Sequence, residues 1–172
     1  MLVILKFLQS LVKTLHSEGT PTQIAAGIAI GSALGLTPLV NLHNVVIVVA
    51  LVMLNVSFGA GLLGMAIFAP VGFMLDPIFD RLGHWLLTGV PALKPMWIWL
   101  DNSPVFALSN LNNTIVVGSL FGWLLLFLPI YLLARYLVIK YRASFGAWLR
   151  RTRLYNVFAA SQVYNVYRWF SP

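Results

Sequence analysis

The chain has no cysteine and only four acidic residues among 172. The first absence excludes a disulfide framework and thiolate chemistry. The second leaves little acid–base machinery. There are no paired carboxylates in an apolar setting, no H-E-x-x-H, no serine-nucleophile motif and no phosphate-cradling glycine loop, so an enzyme is the less favoured class. Charged residues of both signs make up only 9% of the chain, against 60% hydrophobic residues. Soluble domains average about 25% and about 45–50%. So few charges cannot cover so much apolar area in water. The composition therefore predicts an all-α integral membrane protein, with residues 1–172 forming one membrane domain. Lys6 and Lys13 interrupt the N-terminal apolar run and no small-x-small site follows it, so no cleavable signal peptide is expected.

The positive excess is unevenly placed. Residues 1–22 carry a net +1, residues 76–114 a net −1, and everything from Arg135 onward +7 with no acid at all. Basic residues gathered just beyond an apolar run are the positive-inside pattern, with anionic lipid headgroups as counter-charge. Arg150, Arg151 and Arg153 are the candidate headgroup contacts. The distribution predicts a multi-pass protein of the bacterial inner membrane, both termini cytoplasmic and residues 76–114 outside. Nucleic acid is not an expected partner, since no recognition motif accompanies the charge.

Residues 1–17 read as an amphipathic helix. Lys6, Gln9, Ser10, Lys13 and Ser17 form one stripe, and Ile4, Leu8, Leu11, Val12 and Leu15 the other. Thr20 to Gln23 (TPTQ) is a helix start, with a capping hydroxyl, a proline suited to the first position and a glutamine able to close a capping box. The helix that follows carries Gly27, Gly31 and Gly35, each four residues apart. Glycines in such register let another backbone approach closely. Gly64 belongs to a second small-residue segment (59–77) that echoes the first at an offset of thirty-two residues. Gly118 and Gly122 form a further packing face.

The apolar run Ile24 to Leu36 is thirteen residues, roughly 20 Å of helix at about 1.5 Å per residue. That is short of the ~30 Å hydrocarbon core. Pro38 cannot continue a helix, and Thr37 before it is pushed to extended geometry. The pattern predicts a broken or re-entrant helical hairpin within a 20–75 core, its tip "TPLVNLHN" shielded by protein or a water-filled cavity. Asp76 is expected to cap a short helix at the start of an outer interfacial loop (76–114) in which Trp85, Trp97 and Trp99 form an aromatic belt. Ile115 to Leu133 is the expected spanning helix, within 115–139, and residues 140–172 form a basic, aromatic cytoplasmic tail.

The polar lead ending at Pro21, the run "AAGIAIGSALGLTP", the later "LN" (Leu54, Asn55), Gly64, Pro70 and the closing "RLG" (Arg81 to Gly83) together resemble a bacterial inner-membrane family known as domain of unknown function 2062. The likeness covers about Gly19 to Gly83. It departs at Ala69, where that family usually has asparagine before the second proline. The resemblance implies a membrane domain with helical hairpins, and implies no activity, substrate or catalytic residue.

Asn41, His43, Asn44 and Asp76 are the candidate binding residues. A titratable group at membrane depth is costly and marks function by default, so His43 is the sharpest of them. Its chemistry would be phosphate-headgroup contact or proton relay, where half-helix ends meet. The alternative is a histidine that hydrogen-bonds the broken backbone. Asp76, Asp80 and His84 could share one helix face, but capping and headgroup contact explain them, and neither metal nor cofactor is expected. The preferred function is a small lipid- or anion-handling transport component working as a homo-oligomer or with a larger membrane or periplasmic partner. A membrane anchor that recruits a protein through its basic tail is the alternative, and an enzyme acting on lipid headgroups the third. If the tip is a site, substitutions at His43 and Asn44 are both expected to spare insertion.

Overall fold

The computed structural model describes residues 19–103 and 109–151, with side chains to residue 143. The expected helix over 1–17, Arg153 and the aromatic tail from 152 lie outside the described residues. Arg150 and Arg151 are described as helical backbone only. Every regular element among the described residues is helical.

Helix α1 spans Pro21–Leu36. Its start is the capping box that the sequence predicts. Gln23 N donates to Thr20 Oγ1 at 3.2 Å and Thr20 N donates to Gln23 Oε1 at 2.8 Å, with Pro21 at the first position. Caps of this kind contribute about 0.5–2 kcal/mol. The helix stops at Thr37, which is extended (φ −105°, ψ 151°) because Pro38 crowds any helical geometry there. Helix α2, Leu42–Met53, returns from the tip. At sixteen and twelve residues, the two are about 24 Å and 18 Å long. Neither reaches across a bilayer.

Helix α3 runs without interruption from Phe58 to His84. It continues as one π turn, Trp85–Gly89. This corrects one expectation, since Asp76 does not cap a new helix but sits inside α3. The helix also carries Pro70 and Pro77 within it. Both prolines lie on the exposed side, so their rings stay clear of the packed face and the neighbouring hydrogen bonds carry the helix past them. Residues 88–114 are also less loop-like than expected, since a 3-10 turn (Pro91–Leu93) leads into α4, Lys94–Asp101. Helix α5, Thr114–Arg151, extends well beyond residue 139. Two segments are thus long and apolar enough to cross a membrane, Phe58–Gly89 and Thr114–Ala143, where the sequence suggested one clear span.

α1 and α3 lie parallel, joined backbone to backbone. Gly27 packs on Ser57 and Ala60, Gly31 on Gly61, Gly35 on Met65 and Ala69, and Gly64 on the Ile28 backbone. The two segments that echo each other in sequence are therefore the two that pack together. α5 runs antiparallel to both. Its start meets α3 where Thr114 faces Gly83 and Gly118 faces the Phe79 carbonyl, while Gly122 accommodates the Phe79 ring. Farther along, Trp123 donates its indole N–H to the Ala29 carbonyl at 3.0 Å, and Arg142 reaches the Gly19 carbonyl at 2.9 Å. Ile24, Ala25, Ile28 and Ala29 of α1 share a core with Ala60, Phe79, Ile130, Ala134 and Val138. The α2–α3 connection is tied to the foot of α1. Gln23 Nε2 donates to Asn55 Oδ1 at 2.9 Å and Ser57 N to the Gln23 carbonyl at 3.2 Å. Both feet of the α1–α2 hairpin therefore sit at the same end.

Candidate functional site

Breaking a helix at Thr37 and restarting it at Leu42 leaves several carbonyls without helical partners, and the tip supplies side chains for them. Asn44 Nδ2 donates to the Pro38 carbonyl at 2.6 Å and to the Leu39 carbonyl at 3.1 Å. Asn41 Nδ2 donates to the same Pro38 carbonyl at 2.7 Å. The Thr37 hydroxyl lies 2.8 Å from the Ala33 carbonyl and 2.9 Å from Asn44 Oδ1, with one proton to share between them. Thr37, Asn41 and Asn44 are all buried. The two asparagines act on the polypeptide itself, stitching a broken backbone.

A distant residue closes the arrangement. Asn110 Nδ2 donates to Asn41 Oδ1 at 2.7 Å and approaches the Val40 carbonyl at 3.4 Å. Asn110 has φ +52°, a left-handed conformation that asparagine tolerates better than most residues. No local signal marks this role, because Asn110 lies in an asparagine-rich connection far along the chain from the tip.

His43 is different. It sits in the first turn of α2, and both ring nitrogens are buried with no hydrogen-bond partner among the described residues. The Ser109 backbone lies beside the ring and acts on it electrostatically without reaching hydrogen-bonding geometry. A buried imidazole left in this state costs free energy, and such groups in native proteins call for an explanation. Beside the tip, an apolar groove of about 320 Å³ is lined by Leu34, Leu39, Asn44, Val45, Val48, Val49 and Met65.

The fourth sequence candidate does not join these three. Asp76 is half-buried on α3 and takes no part in the tip's hydrogen bonds. It falls one turn after Gly72, which packs on Gly35 and Leu36, and two turns before Gly83, which packs on Thr114. The carboxylate that links helices is Asp80, which accepts a short hydrogen bond from the Thr114 hydroxyl. Among the described residues no group of three histidine or acidic side chains could hold a metal ion.

The family described as "Uncharacterized protein conserved in bacteria (DUF2062)" matches residues 5–145. The chain belongs to this family. The match takes in α1 to α4 and most of α5, well beyond the stretch from Gly19 to Gly83 that carries the resemblance in sequence. An uncharacterized protein of Treponema pallidum (strain Nichols) is 33% identical over 138 residues, which is 80% of this chain and 85% of that one. No solved structure matches. Ala69, where the sequence departs from the resemblance, sets its backbone against Gly35 and leaves its side chain exposed. That position therefore points away from the α1–α3 contact.

Proposed function

We propose that this protein is a non-enzymatic component of lipid or anion handling in the bacterial inner membrane. The observation that carries the reading is His43, whose two buried nitrogens make no hydrogen bond of good geometry among the described residues, with only the Ser109 backbone close by, while both nearby asparagines are fully engaged. An apolar groove that meets the tip at Asn44 suits an acyl chain. On this reading α3 and α5 span the bilayer and α1–α2 is a re-entrant hairpin. Its two feet share one end with Lys140 and Arg142, and its tip is covered by Asn110 from the other side. Anionic lipids are the expected partners. The exposed face of α2 (Val45, Val46, Val49, Val52 and Met53) is where a second copy or a larger membrane or periplasmic protein would sit.

The orientation follows from charge. The Lys140–Arg142 end is cytoplasmic by the positive-inside rule, and α4 is outside. A cysteine introduced at Pro95 should react with an impermeant maleimide applied from outside, and one at Lys140 only after the inner face is opened. Labelling of residue 95 from the cytoplasm alone overturns the arrangement.

Function is tested in proteoliposomes carrying fluorescent phosphatidylglycerol, following the fraction that dithionite can reach. The wild-type chain should speed transbilayer exchange, and His43→Ala should slow it about tenfold, a barrier change of about 1.4 kcal/mol. Equal rates for the wild type, His43→Ala and empty vesicles would refute the proposal. Loss of partner capture on removing residues 145–172, with exchange absent throughout, would favour the anchor instead.

A further inference from the structure

A second cavity, of about 400 Å³, lies at the far end of the molecule from Lys140 and Arg142. It is lined by residues of the π turn (Leu87, Thr88), of α4 (Lys94, Trp97, Asp101) and of the segment that opens α5 (Asn112, Thr114). Nothing in the tip is part of it. Its volume falls within the range of small-molecule pockets, roughly 300–1,000 Å³. Trp97 forms a fixed wall, because its indole N–H is held by the Leu86 carbonyl at 3.1 Å. Thr88, Asn112 and Thr114 supply neutral polar groups, and Leu87, Ile98, Leu100 and Leu111 apolar ones.

The charges of α4 are placed against the helix's own stability. Lys94 is its first residue and Asp101 its last. A helix favours the reverse, since its N-terminus carries partial positive charge and its C-terminus partial negative charge. Both side chains line the cavity. They are seven residues apart and therefore on one face, roughly 10 Å apart along the axis, too far to neutralise each other across two turns. Among the described residues neither forms an ion pair or a hydrogen bond through its side chain. An arrangement that the helix disfavours, aimed into one cavity from both ends, matches a ligand whose own charges run the opposite way.

We infer that this cavity binds a zwitterion carrying a phosphate and a primary amine, the chemistry of a phosphoethanolamine headgroup. The phosphate sits at Lys94, where the N-terminal end of α4 adds to the attraction. The ammonium sits at Asp101, donating to its carboxylate with Asn112 and the threonine hydroxyls at hand. Trp97 and the leucines cover the methylenes. A simple anion would leave Asp101 opposing it. A quaternary ammonium has no N–H to donate.

The test uses the full chain in a mild detergent with equimolar phosphatidylethanolamine, phosphatidylcholine and phosphatidylglycerol, reading retained lipid by native mass spectrometry. Phosphatidylethanolamine should be retained over phosphatidylcholine, and phosphatidylglycerol, which the tip is expected to hold, should not displace it. Lys94→Gln and Asp101→Asn should each lower its retention about tenfold, as loss of one charge-assisted hydrogen bond predicts. His43→Ala should leave it unchanged, which separates this site from the tip. The double exchange Lys94→Asp with Asp101→Lys should raise the thermal midpoint, because the helix ends are then correctly charged, while abolishing the preference. Equal tightness for glycerophosphoethanolamine in water would assign the same chemistry to a soluble zwitterion. Equal retention of all three lipids, or no loss in either single variant, overturns the proposal.

Discussion

Replacing Gly31 with leucine is expected to lift α1 off α3 and collapse the membrane core. The reason lies in what the new side chain would meet. A Cβ at Gly31 already overlaps the carbonyl of Gly61 before any further atom is added. Overpacking in a core typically costs about 1–3 kcal/mol because side chains can shift. Here the obstacle is main chain on a helix held by α5 on its other side, so a cost at or above that range is expected. Gly59→Leu is the control, because Gly59 is exposed at the start of α3. Thermal unfolding in detergent should show a large drop for Gly31→Leu and little change for Gly59→Leu. Labelling adds a second readout. The chain has no cysteine of its own, so a single cysteine placed at Ile30 reports only on that site. It should become reactive in the Gly31→Leu background and stay slow otherwise. An unchanged midpoint would mean that α1 and α3 are not in contact.

Asn44→Ala is the second large effect, and it should differ in kind from His43→Ala although the residues are adjacent. Asn44 donates to two tip carbonyls and accepts from Thr37. Pro38 retains Asn41 Nδ2 as a donor, the Leu39 carbonyl retains the Asn41 backbone N–H, and the Thr37 hydroxyl turns to the Ala33 carbonyl. No group is orphaned, but three hydrogen bonds are lost together, each worth about 0.5–1.5 kcal/mol. His43→Ala removes no hydrogen bond of good geometry among the described residues. The unfolding midpoint should therefore fall for Asn44→Ala and stay near wild type for His43→Ala. A greater loss in His43→Ala than in Asn44→Ala would show that the histidine, not the asparagine, holds the tip together.

Much of the fold was legible because its causes are local. Thr20, Pro21 and Gln23 specify a helix start within four residues, and Thr37-Pro38 specifies a stop within two. The glycine register named one face of α1 as a contact face. Where the sequence misled, the cause lay outside the segment being read. Pro70 and Pro77 carry the signal of a break, yet they fall on the outer side of a helix that packs along its other side, and packing overrides the local rule. At the site, the asparagines and the histidine were visible as polar residues in an apolar run. Their division of labour was not, because it depends on which carbonyls the tip exposes. Asn110 reaches Asn41 from sixty-nine residues away. No periodicity or spacing encodes such a bond. The cavity around α4 was hidden for a related reason, being built from three segments that only the folded chain brings together.

The glycine contacts also fix which mutations can be repaired. At Gly31 the obstructing atoms belong to the backbone of Gly61, and a glycine has nothing left to trim. No substitution on the facing helix can make room, so a lesion there has no local suppressor. The situation reverses one layer away. A Cβ at Gly61 would meet the Leu51 side chain at 2.7 Å, and one at Gly122 would meet the Phe79 ring at 2.7 Å. Those neighbours can be made smaller. Alanine at Gly61 has an escape through a shorter residue at 51, and alanine at Gly122 through a smaller one at 79. The chain's inheritance is therefore uneven from one helix interface to the next. Some of its glycines can drift in step with a partner, while Gly31 is held in place by atoms that no codon can change.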